Sequence, residues 1–190
     1  LSAHPSERQA VSSKIVSEKL AAILERIPAE LEGKTVQVGY FEGVAYEEDM
    51  PVASVAAIHE FGAPAANIPP RPTMGPVMRN QKSHYVAQLA VSAKAVLHGK
   101  IGGNEALDMI GGEVAGDIRQ EISNLDSPAL SPITVMLRGM KSNDANLKIT
   151  GKTVGAAAKR VDEGKTNYGA SNKPLVDTGI MLDSVTHLVK

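Results

Sequence analysis

The chain has no cysteine and no tryptophan, and only two phenylalanines and four tyrosines among its 190 residues. The missing thiols exclude disulfides, thiolate zinc sites, cysteine nucleophiles and iron–sulfur ligation together. Such a composition fits a reducing cytosol, or an assembly held by subunit contacts. With aromatics at 3%, the core must come from Ala, Val, Leu, Ile and Met. No run approaches the roughly 18 apolar residues of a membrane span, and the opening LSAHPSERQA lacks a signal-peptide pattern. A formal net charge of −1 predicts neither nucleic-acid nor membrane binding.

What is present suits one domain over residues 1–190. Ser12 to Ile27 reads as an amphipathic helix, with Ile15, Leu20, Ile23, Leu24 and Ile27 at helical spacing and Pro28 ending it. Thr35 to Phe41 alternates as a strand. The acidic stretch Glu42 to Asp49 reads as a loop or hairpin tip. Val52 to Phe61 is a short Ala-rich helix stopped by Gly62. Gly62 to Pro76 carries five prolines in fifteen residues and must be extended and stiff.

A long helix is expected from Pro76 to about His98 and another from Asn104 to Leu125, separated by GKIGG. Pro132 to Arg138 adds a turn of helix. Residues 139–173 have little that forms a core apart from a candidate helix at VGAAAKRV, and read as a long exposed arm. A short helix and a strand from Val185 to Val189 complete the chain. From Arg138 to Lys173 there are eight Lys or Arg against three Asp or Glu. Lys141, Lys148, Lys152, Lys159, Arg160 and Lys165 are its candidate contacts, with DNA phosphates or with an acidic neighbour.

Three fragments tempt an enzymatic reading, and each fails on its own terms. His59-Glu60 begins like the zinc motif H-E-x-x-H, but Ala63 stands where the second histidine is required. ITGKT ends like a phosphate-binding loop, but Asn146 replaces its first glycine and no hydrophobic strand precedes it. Asp177-Thr178-Gly179 has the letters of an aspartic-protease site, yet only eleven residues follow Gly179, too few for the flap and cleft that two shared carboxylates need. Asp177 or Thr178 is instead expected to cap the helix containing Ile180, Met181 and Leu182. No catalytic, cofactor-binding or metal-binding set is expected, and no enzyme activity.

Three blocks in order, VAAIHEFGAPAANIPPRPTMGPVM (Val55 to Met78), LSPITVMLRG (Leu130 to Gly139) and KPLVDTGIMLDSV (Lys173 to Val185), resemble the tail-completion or neck proteins of tailed bacteriophages. The resemblance covers residues 35–140 and 173–190. It implies an α+β fold, with a small, mostly antiparallel sheet packed against long helices and the exposed basic arm inserted before the C-terminal helix and strand. It also implies a structural role in the virion, with assembly in the host cytoplasm. The protein would form a homo-oligomeric ring, six- or twelve-fold, at the head–tail junction or the top of the tail tube. Portal or connector proteins and tail tube or sheath proteins would be its neighbours, with non-specific contact to packaged DNA, no membrane and no small-molecule substrate.

Carried over to this chain, Glu60, Phe61 and Gly62 would close the first helix. Pro69, Pro70, Arg71 and Pro72 would form a rigid turn into the next, and Asp177, Thr178 and Gly179 would cap the last. Arg71 is placed for a bidentate salt bridge, across a subunit boundary or within its own chain. Two features depart from the family pattern. Thr73 stands where a bulky aromatic is usual, and about 33 residues separate the second and third blocks. The competing class is a DNA-contacting accessory protein of head–tail assembly acting through the basic arm.

Overall fold

A computed structural model of the chain describes residues 21–22, 25, 29–46, 50–165 and 171–190. Its elements are β1 (Val36–Tyr40), α1 (Val52–Phe61), a 3₁₀ turn (Pro64–Ala66), α2 (Met74–Asn80), α3 (Lys82–Leu97), α4 (Gly103–Asn124), α5 (Pro132–Asn143), α6 (Gly151–Asp162), α7 (Ile180–Asp183) and β2 (Val185–Val189). The fold class is α+β: β1 and β2 pair antiparallel in a two-stranded sheet, and the rest is mainly helical. Thr35 and Lys190 close the ladder by exchanging both backbone hydrogen bonds, at 2.8 and 2.9 Å.

The chain separates into two compact units. One is drawn from residues 1–38, 78–115 and 187–190, the other from 39–77 and 116–186. Each is therefore built from segments far apart in sequence, and no single cut divides them.

In the first unit, α3 buries Tyr85, Ser92 and Val96, and α4 contributes Ala106, Ile110, Val114 and Ala115. His84 of α3 bonds Glu113 of α4, and His187 Nε2 meets Asp108 Oδ1 at 2.8 Å. Gly111 is required where the His187 ring crosses α4, because a Cβ there would lie 2.5 Å from its Cδ2. Glu30 accepts the Gly103 amide at the start of α4.

In the second unit, Val52, Ala56, Ile118, Ile122, Met136, Leu175, Met181 and Val185 form the core. Full burial of a side chain such as Ile118 or Met136 contributes about 1.5–3 kcal/mol. The Arg119 guanidinium donates to the Val185 carbonyl at the start of β2.

Several expectations change in detail. The helix expected from Pro76 to His98 is two helices, because Gln81 leaves helical geometry at ψ 2°. The turn expected at 132–138 is the twelve-residue α5, opened by Ser131 accepting the Thr134 amide and by Pro132 at the first helical position. The described residues of 139–173 are mostly exposed, as expected, but α6 organises their middle, packing on α5 with Ala157 fully buried. The helix expected from Ser12 to Ile27 lies largely outside the described residues, as do Glu47, Glu48, Asp49 and Tyr168; within it, Ala21, Ala22 and Glu25 are helical.

Candidate functional site

The expected site residues that the structure brings together lie in the second unit, around the end of α1. Gly62, at φ 76°, ends α1 and donates to the Ile58 carbonyl. A side chain there would be strained and would meet Pro70 N and Ile68 O at 3.0–3.1 Å. The chain reverses through the 3₁₀ turn and left-handed Asn67, and Ile68 pairs with Ala63. The reversal is therefore made by Ala63 to Ile68. The segment Pro69-Pro70-Arg71-Pro72, expected to be the turn itself, is a return strap without helix or strand. Its hold on α1 is the Arg71 amide, which donates to the His59 carbonyl at 2.6 Å.

Glu60 does more than close α1. Its Oε2 accepts the amides of Thr73 and Met74 at 2.8 and 3.1 Å, and its Oε1 accepts that of Gly75 at 2.8 Å. These are among the amides that open α2 and lack partners within it. A carboxylate at that end is also favoured by the helix dipole. Thr73 is buried. Phe61 points outward and is 79% exposed.

Among the described residues Arg71 makes no salt bridge with a carboxylate. It is buried, and its Nε and Nη2 donate to the carbonyls of Pro128 and Ala129 at 2.8 and 3.1 Å. Those two bonds commit its Nε and Nη2 edge within the chain. Arg71 thus ties the first sequence block to the residues just before the second.

Arg138 makes the corresponding tie between the second block and the third. Nη1 donates to the carbonyls of Lys173 at 2.7 Å and Ser171 at 3.3 Å, and Nη2 to that of Pro174 at 3.1 Å. Nε faces Asp177 Oδ2 at 3.4 Å. The expected cap at Asp177 or Thr178 is accordingly not formed. Gly179, left-handed at φ 79°, is the N-cap of α7, and there is no side-chain cap hydrogen bond among the described residues. Asp177 goes to Arg138 because a four-residue helix has little dipole to offer, whereas a guanidinium is a full charge.

Around these ties lies a cavity of about 600 Å³, lined by Tyr46, His59, Arg138, Lys141, Lys148, Leu175, Asp177, Thr178 and Met181 among others. Burial, and then the charges of Arg71 and Arg138, hold the His59 imidazole below its ordinary pKa. Among the described residues its buried Nδ1 has no hydrogen-bond partner, and neither does the Tyr40 hydroxyl. Burial first, then Tyr46 and Glu60, push the Tyr40 phenol upward. The Tyr46 phenol is also raised, by burial and then by Asp177, against a hydrogen bond with the Met181 backbone.

The remaining candidates are dispersed. Lys141 and Lys148 reach the cavity lining, while Lys152, Lys159 and Arg160 sit on α6 and Lys165 pairs with Glu163 at 3.0 Å. The GKT fragment opens α6 with a reciprocal cap, in which the Thr150 and Thr153 side chains each accept the other residue's amide. Among the described residues no three His, Asp or Glu side chains group as a metal site. Sequence reasoning named Arg138 only as the edge of a basic stretch. Its role rests on partners more than thirty residues away, which no local pattern signals. No protein-family model matches the chain, and no curated protein or solved structure shows significant similarity to it.

Proposed function

We propose that this chain is a structural virion protein, assembling as a ring of copies at a phage head–tail junction or at the top of a tail tube, in a completion, terminator or connector role. One observation carries this reading: the outward face of α1 is an uncharged stripe. Ser54, Ala57, Ile58 and Phe61, at spacing i, i+3, i+4 and i+7, are all exposed, and the single acid of the helix, Glu60, is engaged by backbone amides of α2. Met50 before the helix is exposed as well. An uncharged, mainly apolar helical stripe ending in an exposed phenylalanine is what a permanent protein interface covers. A second copy is the partner such a ring requires, through a head-to-tail interface that closes by rotation.

The three blocks that carry the family resemblance are also bonded into one compact unit by Glu60, Arg71 and Arg138, which gives the stripe a stiff backing. Neighbouring connector or tail proteins would meet the ring above and below. Light scattering after size exclusion, with electron microscopy, tests the reading: closed rings are expected, alone or with tail or connector proteins added. A protein that stays strictly monomeric in both conditions overturns it.

A second reading, DNA contact through the basic stretch, is favoured by the exposure of Lys148, Lys152, Lys159 and Lys165. It predicts DNA binding that weakens steeply with salt and is lost when residues 144–165 are replaced by a neutral linker. No binding at low salt removes it.

A further inference from the structure

The two-stranded sheet presents two open edges. Thr35 and Lys190 exchange both backbone bonds, so they are a hydrogen-bonded pair and fix the register of the ladder. Gln37 and Leu188 are the next such pair. Val36, Val38, His187 and Val189 therefore turn their N–H and C=O groups away from the partner strand. All of these residues belong to the first unit. Among the described residues no backbone hydrogen bond reaches those outward groups. Val185, which the same register turns outward at the start of β2, has its carbonyl taken by Arg119.

Soluble proteins blunt an open edge with charged side chains, proline, a bulge or a covering element. β1 reads VQVGY and β2 reads VTHLV, with no proline, lysine, arginine or acid in either. Val36, Val38, His187 and Val189 are only half-buried, and Gln37 and Leu188 are exposed on the outer face of the sheet. Two strands alone also make a marginal sheet, which further strands strengthen. Such an edge suits main-chain pairing with another strand.

We infer that the β1 edge of one copy pairs with the β2 edge of the next, so that the sheet continues from subunit to subunit. This rests on reading the chain as a ring of copies, and adds a main-chain contact to that of the α1 stripe. A second copy is the occupant because each chain carries both halves of the contact, two outward residues on each strand of one sheet. For strands running along the ring axis, rotation leaves every β1 pointing one way and every β2 the other. β2 of one copy beside β1 of the next is then again an antiparallel pair. Closing the ring leaves no edge open, whereas pairing like edges would make two-fold contacts instead.

The chain has no cysteine, so single introduced cysteines report their own contacts. In the register that pairs Val36 with Val189 and Val38 with His187 of the next copy, Gln37 and Leu188 oppose each other across the boundary. Gln37→Cys and Leu188→Cys both change exposed residues, and in a mixture of the two proteins a 37–188 disulfide can form only between copies. Under mild oxidation that bridge should be about tenfold commoner than in a control mixture of Lys152→Cys with Leu188→Cys, because the strand geometry brings the two positions within disulfide reach. Site-resolved amide exchange of the unmodified protein gives a second readout. The amides of Val36, Val38, His187 and Val189 should slow about tenfold or more on assembly, while those of Gln37 and Leu188 are protected throughout. Rings whose four edge amides exchange as in the monomer overturn the edge pairing and leave the ring reading standing. A mixed bridge no commoner than the control, or bridges mainly of like with like, overturns it as well. Protection that appears only when tail or connector proteins are added puts another chain on the edge and also overturns it. A chain that is monomeric in every condition removes both the pairing and the ring.

Discussion

Glu60 Oε1 lies 2.8 Å from the backbone nitrogen of Gly75, fifteen residues further along the chain. With Thr73 and Met74 on Oε2, one side chain at the end of α1 fixes the start of α2 and closes the loop between them. A carboxylate that accepts several backbone amides in a partly buried setting makes strong, charge-assisted bonds. Glu60→Ala should therefore cost roughly 2–3 kcal/mol in urea unfolding. Glu60→Gln should lose less, because it keeps one oxygen but turns an NH₂ group toward amide donors. Equal stability of all three proteins would contradict this role.

Arg138 holds the carbonyls of Ser171, Lys173 and Pro174, in a segment with no regular structure of its own. Arg138→Gln cannot span all three. Amide hydrogen exchange at residues 171–178 should speed up by about tenfold or more, while the α4 core amides change little. Uniform acceleration across both would instead mean global destabilisation.

The pH dependence of stability carries a signature of His59. The unfolded chain protonates this imidazole near 6.5, and the folded protein holds it lower through burial and the two nearby arginines. Between those values the unfolded state binds more protons, so stability rises with pH across that window. The contribution is complete above about 6.5 and is lost as pH falls toward the folded value. In His59→Phe that component should vanish, so that parent and variant differ in the slope of unfolding free energy below pH 6.5 and run parallel above it.

Gly111 sits where His187 and Val36 crowd α4. Alanine would normally strengthen a helix by up to about 1 kcal/mol over glycine. Here its Cβ would fall 2.5 Å from the His187 ring and 2.8 Å from a Val36 methyl. Gly111→Ala should accordingly destabilise by about 1–3 kcal/mol, read as a lower melting temperature. At Gly116, where a Cβ meets nothing within 4 Å, the same change should stabilise.

Phe61→Asp separates folding from assembly. Its side chain is 79% exposed, so the isolated chain should keep its stability to within about 0.5 kcal/mol. A charge at the end of the α1 stripe should lower the mass of the assembled species measured by light scattering. Unchanged assembly would place the copy-to-copy contact elsewhere.

How far the sequence reveals this architecture depends on the range of the interaction. α1 is legible because its Ala-rich run is stopped by Gly62, and the short strand Val36–Tyr40 because its apolar positions alternate. The length of α5 was also within reach: Ser131-Pro132 is a helix-start signal, and the apolar residues after it continue past Arg138. The break at Gln81 was not, since Arg79-Asn80-Gln81 contains neither glycine nor proline. The candidate site was legible in its parts and illegible in its pairing. Asp177 before a short apolar run suggests a cap, and only the fold reveals that Arg138 claims it. Arg71 between prolines suggests an ion pair, yet two carbonyls 57 and 58 positions away take its donors.

The pairing of Thr35 with Lys190 has a consequence for how the molecule is made. One partner strand precedes nearly the whole helical part of the described chain, and the other follows it. During synthesis β1 must wait, its ladder groups unmatched, until the last of these helices has been translated. So distant a closure slows folding, because loop entropy is lost before any contact repays it. An unmatched strand edge meanwhile invites pairing with another nascent chain. Where many copies are produced together for assembly, the yield of correctly folded subunits would then depend on how long that edge stays open.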